Sequence, residues 1–259
     1  MEPGCIFRLS CAVISAVALL GCHSAPASGR VTHESYEEAI RGGDVRFGMV
    51  WIPEGRFWIG RTEVTWDEYL SYCAFGKDDD VPADADAVTR PSKPLEVTPY
   101  DRDWGAGRRP AVGMSRNAAQ KYCQWLSLNT GRQYRLPTEA EWQQACGGPP
   151  DVPLTDCAWY EETSDGRTEE VGRKKPNRYG VYDMLGNLWE YCLGPYDIAE
   201  PEKAVLRGGS WRDPASLVTP ESRLAFDYMW VLGDPNVPPG VWWVPDGQHL
   251  GFRVLRAQP

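Results

Sequence analysis

The pattern of apolar and polar residues first predicts a β-hairpin near the start of the chain. Between Met49 and Gly60, apolar runs flank the turn-forming triplet Pro53-Glu54-Gly55. Short apolar runs on both sides of a Gly-containing turn are typical of two paired strands. We therefore predict two short antiparallel strands here.

Three helices are predicted from their start signals. Thr65 with Glu68, and Thr138 with Glu141, have the Thr-x-x-Glu spacing of a capping box. The helix that begins at Thr138 is expected to run to Cys146, because Gly147-Gly-Pro-Pro150 then ends it.

The third helix is expected between Ser115 as its N-cap and Gly131 at its C-terminal end. Four apolar residues follow the i, i+3, i+4, i+7 spacing of one helical face: Ala119, Tyr122, Cys123 and Leu126.

After Cys146 no helix is predicted, and the chain breaks into short strand-like pieces separated by Gly, Pro, Asn and Asp. These pieces are Trp159-Tyr160, Val171, Val181-Tyr182, Leu188-Trp189, Val205-Leu206 and Phe252-Arg-Val254. From Gly76 to Arg109 the chain is acidic, then Pro-rich, and is interpreted as a surface insertion. Early helices and late strands indicate an α+β fold rather than alternating βαβ units.

The N-terminus has the features of an export signal. Arg8 precedes a short apolar run from Cys11 to Leu20, which ends in Leu19-Leu20-Gly21-Cys22. We expect residues 1–21 to be a lipoprotein-type signal peptide, with Cys22 acylated as the first residue of the mature protein. An ordinary secretory signal is the alternative. Residues 22–45 are then expected to form a tether and 46–259 a single domain.

Net charge and cysteine count narrow the picture further. A net charge of −9 over 259 residues offers no basic surface for nucleic acid, so any membrane attachment should come from the lipid alone. Outside the leader and Cys22 an odd number of cysteines remains, so at least one is unpaired within the chain. They are Cys73, Cys123, Cys146, Cys157 and Cys192.

Four strings together carry a family resemblance. They are Arg135-Leu-Pro-Thr-Glu-Ala-Glu-Trp142, Gly180-Val-Tyr-Asp-Met-Leu-Gly-Asn-Leu-Trp-Glu190, Leu206-Arg-Gly-Gly-Ser-Trp211 and Leu250-Gly-Phe-Arg253. In this order they resemble the formylglycine-generating-enzyme family, also called the sulfatase-modifying-factor domain. The resemblance implies one compact C-type-lectin-like domain with little regular secondary structure.

The resemblance also implies a structural calcium ion at the second string. Carried over by position, its ligands are the side chains of Asp183 and Glu190 and the carbonyl groups of Gly186 and Leu188. Carboxylate and carbonyl oxygens are the ligands that calcium prefers. The alternative is that Asp183 and Asn187 cap turns and Glu190 pairs with a basic residue. A second family calcium site falls around residues 156–165, where no ligands can be aligned.

The catalytic centre departs from the family pattern. The family holds copper between two cysteines after the Gly-Gly-Ser string, but here Asp213 occupies the first position and the second falls near Val218. Because a carboxylate is a hard ligand and Cu(I) prefers thiolates, a copper site is not expected. A three-histidine iron site cannot be assembled either, since only His249 lies in the core. Ser210, Asp213 and Glu221 are the residues to test for any remaining catalysis.

The family disulfide partners of Cys123 and Cys146 are also missing, since those positions are Val254 and about Leu224. The two cysteines either pair with Cys157 or Cys192, or are buried and reduced. We favour the reduced state for Cys123.

Aromatic and basic residues of the C-terminal region are the predicted ligand groove: Trp211, Arg212, Arg223, Trp230, Trp242 and Trp243. Exposed, they would form a platform for a sugar ring or an extended peptide. Core filling is the alternative for any single tryptophan. The sequence thus predicts an exported, lipid-anchored pseudoenzyme, in the periplasm or at the cell surface, that binds a peptide or carbohydrate. The alternative is an oxidoreductase that acts on protein or peptide substrates without the cysteine pair.

Overall fold

The chain forms nine strands and four helices in the residues that the computed structural model describes, which are Met1, 33–74, 104–235 and 237–258. The strands are β1 (Tyr36–Ala39), β2 (Arg46–Ile52), β3 (Phe57–Gly60), β4 (Tyr134–Arg135), β5 (Trp189–Asp197), β6 (Glu200–Arg207), β7 (Arg223–Ala225), β8 (Leu250–Gly251) and β9 (Leu255–Ala257). The helices are α1 (Trp66–Ala74), α2 (Arg116–Thr130), α3 (Glu139–Cys146) and α4 (Leu154–Cys157). Two 3-10 turns cover Ala215–Leu217 and Tyr228–Val231. The predicted leader, Cys22 and most of the predicted insertion lie outside the described residues.

The predicted hairpin is confirmed as β2 and β3. They pair antiparallel with Met49 opposite Gly60 and Ile52 opposite Phe57. This hairpin lies in a five-stranded sheet of order β1-β2-β3-β9-β4, so the C-terminal strand β9 pairs directly with β3. The two ends of the domain are thereby joined in one sheet.

All three predicted helix starts are confirmed. Thr138 and Glu141 form the reciprocal capping box at α3, and Thr65 with Glu68 forms the equivalent contacts at α1. At α2 the Ser115 side chain accepts a hydrogen bond from the backbone N–H of Ala118. The predicted apolar stripe of α2 is buried in full.

The helix α2 ends where the sequence predicts. Gly131 follows it in the left-handed conformation, with φ of 75°, and its N–H bonds back to the carbonyl of Ser127. A residue with a Cβ would adopt this conformation at a cost, which explains the glycine.

A second sheet, of order β7-β6-β5-β8, brings distant strings of the sequence together. Strands β5 and β8 pair in parallel, with Trp189 opposite Leu250 and Glu190 opposite Gly251. The second and fourth family strings are therefore neighbours across this pair.

The structure corrects the predicted start of the domain and several predicted strands. Strand β1 lies inside the segment predicted as a tether, and it pairs with β2 while Ile40 is buried. Of the strand-like pieces, Trp159 makes only an isolated bridge to Gly186, whereas Val171 and Val181–Tyr182 lie in loops. Helix α4 was not predicted, because four residues are too few for a periodic pattern.

Large aromatic side chains fill much of the interior. Trp58, Trp66, Trp142 and Trp243 are each less than 2% exposed. Core filling therefore accounts for these tryptophans, which compensate for the scarcity of long helices and strands.

Candidate functional site

The four family strings meet at a buried ion pair. Glu190 and Arg253 are both fully buried, and Arg253 donates from Nε to Glu190 Oε2 at 2.6 Å and from Nη2 to Oε1 at 2.5 Å. Trp142, from the first string, donates its Nε1–H to Glu190 Oε2 at 2.8 Å. Gly208, from the third, accepts the N–H of Gly186 in the second.

Arg253 also joins two separate backbone segments. Its guanidinium donates to the carbonyls of Gly60, Tyr182 and Asp183, each at 3.1 Å. A planar guanidinium with five N–H donors can serve so many acceptors at once, and a lysine cannot. The buried charge of Arg253 is thus paired with Glu190. The remaining hydrogen bonds of the guanidinium hold the loop 182–190 against β3.

Two further carboxylates lie near this pair. Glu63 is 1% exposed and neither of its carboxylate oxygens has a hydrogen-bond partner in the described part of the chain. Asp183 accepts from the N–H of Gly172 at 2.7 Å through Oδ2, while its buried Oδ1 has no partner there. Three carboxylates around one arginine leave an excess of negative charge if all are ionised.

Burial is the main cause of the shifted acidities in this cluster. It raises the pKa of Glu63 well above its usual range, and the charges of Asp183 and Glu190 add to the effect. Burial likewise raises the pKa of Asp183 to about 6. The cluster is therefore relieved either by protons or by a cation.

The predicted calcium ligands are brought together only in part. The alternative interpretation is confirmed for Glu190, which pairs with the basic Arg253, and Asp183 caps a turn through Gly172. Asp183 Oδ1 remains available to a cation. In the described ranges no group of three or more His, Cys, Asp or Glu side chains could hold a metal ion. Calcium at this loop, which would also use backbone carbonyls, stays a prediction.

The backbone of the predicted calcium loop is packed very closely. Gly186 has φ of 75°, and a Cβ on it would lie 2.1 Å from the carbonyl oxygen of Trp159. Only glycine fits at this position. Asn187 anchors the same loop, because its N–H donates to Trp159 O and its Oδ1 accepts from the N–H of Glu169.

Lys174 places a positive charge beside the short helix α4. Lys174 donates its Nζ to the carbonyls of Thr155, at 2.7 Å, and Ala158, at 2.5 Å. The same ammonium lies 4.0 Å from the ring centroid of Trp159. The carbonyls at the C-terminal end of α4 are thereby satisfied by the protein itself.

The segment after the Gly-Gly-Ser string is locked by Asp213. Its Oδ2 accepts the N–H and the hydroxyl of Ser210 and also the Nε1–H of Trp189, the last at 2.8 Å. Ser210 is fully buried, and Val218 is 2% exposed within the core. Glu221 is exposed and uses its backbone carbonyl to accept from Arg207.

Of the six residues predicted to line a ligand groove, three lie close to one another and three do not. Trp242 and Trp243 are 2% and 0% exposed, so they fill the core and cannot contact a ligand. Arg223 directs its guanidinium to Glu139 on α3, at 2.7 and 2.8 Å, and to the carbonyl of Tyr196. These three assignments were wrong, because exposure and side-chain direction depend on packing that the sequence does not display.

Trp211, Arg212 and Trp230 are brought together around a residue that the prediction did not use, His249. Arg212 Nη2 donates to His249 Nε2 at 2.8 Å, and the Trp230 ring lies edge-on to the imidazole with centroids 4.8 Å apart. Trp211 donates its Nε1–H to the carbonyl of Gln248. The one sequence signal for His249 was its place directly before the Leu250-Gly-Phe-Arg253 string.

Next to Trp230 lies an open groove of about 390 Å³, and Trp230 contacts one of its lining residues, Phe226. The groove is lined by Lys203, Ala225, Phe226, Asp227, Tyr228 and Met229. Phe226 contacts Trp230 and Tyr228 edge-on, at centroid distances of 5.5 and 5.6 Å. Tyr228 and Met229 are 49% and 62% exposed. We call this surface the aromatic groove and define it as Trp211, Arg212, Phe226, Tyr228, Met229 and Trp230.

Comparison with models of protein families identifies the family of the chain. The model of the sulfatase-modifying factor enzyme 1-like domain (FGE-sulfatase) matches residues 40–229. The chain belongs to this family.

Relatives of the sulfatase-modifying-factor domain include proteins named as inactive. The inactive C-alpha-formylglycine-generating enzyme 2 of Bos taurus is 33% identical over 127 residues, covering 41% of this chain and 40% of that protein. The chaperone protein LppX of Paenibacillus barcinonensis is 34% identical over 116 residues, covering 33% and 41%. The match to each of these curated relatives therefore spans about 40% of the relative's length.

Solved structures confirm the predicted fold class. The variable protein 1 of Treponema denticola superposes with a TM-score of 0.61 at 22% identity, covering 86% of this chain and 99% of that one. The fold is a compact α+β domain of the formylglycine-generating-enzyme-like, C-type-lectin-like kind.

In this sulfatase-modifying-factor domain the remaining cysteines do not replace the missing pair. Cys123, Cys146, Cys157 and Cys192 are free thiols, and Cys123, Cys146 and Cys192 are buried, as predicted for Cys123. Burial raises the pKa of the Cys146 thiol to about 12, so it stays protonated. Because metals bind the thiolate, a buried protonated thiol is a poor ligand for Cu(I).

The described residues also bear on membrane attachment. Among them, no helix has the length and apolar character needed to cross a bilayer.

Proposed function

We propose that this domain is a non-catalytic binding module rather than a formylglycine-generating enzyme. The observation that carries the proposal is the structural role of Asp213 and Val218. The Asp213 carboxylate accepts three hydrogen bonds that close the loop after β6, and Val218 is buried against Gly209. Both positions expected to hold thiolates thus serve the fold, and neither offers a soft ligand to copper.

The oxidoreductase alternative receives no comparable support. The Ser210 hydroxyl is buried and donates to Asp213, so it is neither exposed nor next to a general base that is free to act. Glu221 is exposed, and its described hydrogen bond uses the backbone carbonyl rather than the carboxylate. The relative named as an inactive enzyme favours the same conclusion.

The aromatic groove is the proposed place of binding. Its exposed Tyr228 and half-buried Trp230 both contact the buried Phe226, and Trp230 also contacts His249, so little side-chain entropy is lost when a ligand binds. We propose that an extended envelope ligand, peptide or carbohydrate, lies along it. The relative named as a chaperone is consistent with binding in place of catalysis.

The test of this function is a search for copper and for product. Purified full chain is reconstituted with Cu(I), and bound metal is measured by mass spectrometry. It is then incubated with oxygen and a sulfatase-motif cysteine peptide, beside an active formylglycine-generating enzyme as positive control. We expect substoichiometric copper and no peptide aldehyde. Equimolar copper, or an aldehyde that forms with turnover, would overturn the proposal.

We also propose that the chain is exported and anchored by lipid at Cys22. The support is the sequence alone, in which Leu19-Leu20-Gly21 precedes Cys22 after a short apolar run. In a bacterial host, the full chain should fractionate with membranes and incorporate labelled fatty acid. Cys22→Ala should lose the label and leave the membrane fraction, with Cys157→Ala as the control. Unchanged fractionation and unchanged mass in Cys22→Ala would refute the anchor.

Finally, we propose a structural calcium ion at the loop 183–190, with the ligands that the sequence predicts, which are the side chains of Asp183 and Glu190 and the carbonyl groups of Gly186 and Leu188. The support is the excess of buried carboxylate over Arg253, together with the free Oδ1 of Asp183. Calcium would supply charge balance and loop rigidity, with no role in chemistry.

A further inference from the structure

One cation of the aromatic groove is held in place without a direct ion pair among the described residues. Arg212 is exposed, and the acceptor of its described hydrogen bond is the imidazole of His249. Since the arginine donates, His249 Nε2 must be the acceptor, and the proton of the neutral ring is on Nδ1. That Nδ1 is buried and has no partner within the described ranges.

His249 stays neutral over the whole physiological range. Burial, with the adjacent charge of Arg212, lowers its pKa to about 3. The imidazole therefore orients the guanidinium without adding or cancelling charge.

Neighbouring acids do not neutralise Arg212 directly. None of the ion pairs in the part of the chain that the structure describes includes it. Asp213 and Asp246 are the charged residues that act on it electrostatically. Asp213 Oδ2 accepts hydrogen bonds from Ser210 and Trp189, and these hold the carboxylate in the loop after β6.

Aromatic rings lie beside the residue that holds this cation and beside Arg212 in the chain. Trp211 donates to the Gln248 carbonyl and meets Trp104 edge-on at 5.4 Å, and Trp230 packs edge-on against His249. From Trp230 an edge-on ring contact leads to Phe226, which lines the groove of about 390 Å³ together with Tyr228 and Met229. The guanidinium thus lies at one end of a series of ring contacts that leads to the exposed Tyr228.

This arrangement matches one ligand chemistry. The planar guanidinium presents paired N–H donors that fit the two oxygens of a carboxylate. The C–H face of a pyranose ring packs on an indole or phenol ring, with its hydroxyl groups directed outward. A peptide held by strand addition would need a longer sheet edge, because the edge strand beside the groove, β7, has three residues.

We propose that the aromatic groove binds an acidic saccharide whose uronate carboxylate is held by Arg212. The inference rests on the proposed binding function and specifies its ligand class. A net charge of −9 gives no long-range attraction for a polyanion, so recognition of the acid group has to be local. His249 acts as the positioning residue of the guanidinium.

The test compares two ligands that differ only in the acid group. Trigalacturonate and its fully methyl-esterified form are titrated calorimetrically into the purified full chain. We expect the acid to bind about tenfold or more tightly than the ester, since charge-assisted hydrogen bonds to the carboxylate are lost in the ester. Arg212→Met should reduce the affinity for the acid to that for the ester. The affinity of Arg212→Lys for the acid should lie between those of the parent and of Arg212→Met. Trp230→Ala should weaken both ligands.

The control variant is Arg173→Met, which removes an exposed arginine outside the groove and should bind as the parent does. Unfolding temperatures of all variants establish that the fold is intact. Equal affinity for acid and ester would overturn the carboxylate assignment, while a loss of both in Trp230→Ala would preserve the proposed binding function. Binding of an acidic tripeptide in place of the saccharides would overturn the saccharide assignment. Absence of binding to every probe would overturn this inference and leave the copper and aldehyde measurements to judge the function.

Discussion

Replacing Arg253 by Met is expected to destabilise the domain by about 3–5 kcal/mol, the cost of leaving a buried charge without its partner. Glu190 would lose the two hydrogen bonds of 2.6 and 2.5 Å that neutralise it. The carbonyls of Gly60, Tyr182 and Asp183 would lose a donor as well. The measurement is the free energy of unfolding in urea.

The matched control is Arg173→Met. Arg173 pairs with Glu170 at 3.2 Å, but the two side chains are 66% and 43% exposed. Exposed pairs contribute about 0–1 kcal/mol, so this variant should unfold almost as the parent does. If Arg253→Met and Arg173→Met cost the same, the buried pair does not organise the fold.

A double variant separates the charge from the packing. Arg253→Met combined with Glu190→Leu removes both charges, so its destabilisation should be smaller than the sum of the two single variants. If Arg253→Met does not accumulate as folded protein, Arg253→Lys is measured in its place, since it keeps the charge but lacks the paired N–H donors of the guanidinium. Its free energy of unfolding should lie between those expected for the parent and for Arg253→Met.

Calcium is expected to raise the free energy of unfolding by about 2.7 kcal/mol when free calcium is a hundred times its dissociation constant. The physical reason is charge. Glu63, Asp183 and Glu190 oppose one buried arginine, and three of their oxygens have no described hydrogen-bond partner. The measurement is thermal and urea unfolding with calcium against a chelator.

Asp183→Asn should abolish the calcium increment, because it removes the charge of the carboxylate whose Oδ1 is free. Glu170→Gln is the control, since that exposed acid lies outside the cluster and should leave the increment unchanged. Magnesium should stabilise less, because its smaller octahedral shell fits carbonyl-rich loops poorly. Coincident unfolding curves with calcium and with chelator would exclude the site and indicate that protons balance the cluster.

The candidate site was predictable where a residue's role depends on its neighbours in the chain. The positions of Asp213 and Val218 after Gly208-Gly209-Ser210 already indicated that no thiolate pair exists. The structure adds the reason that they are tolerated, which is that Asp213 closes the loop by hydrogen bonds and Val218 packs in the core. Trp242 and Trp243 were misplaced on the surface, because nothing in a Pro/Gly-rich sequence distinguishes an exposed tryptophan from a buried one.

The sequence by itself determined the β2–β3 hairpin, the caps of α1, α2 and α3, and the family. Each of these depends on residues a few positions apart, where turn and capping chemistry act. Only the tertiary structure decided that Glu190 faces Arg253 and that Arg212 is held by His249. These pairs lie 63 and 37 residues apart along the chain. The pairing of β5 with β8 brings the first pair together, and the pairing of β5 with both β6 and β8 brings the second together. Burial then sets their charges, since desolvation acts only once the chain has folded.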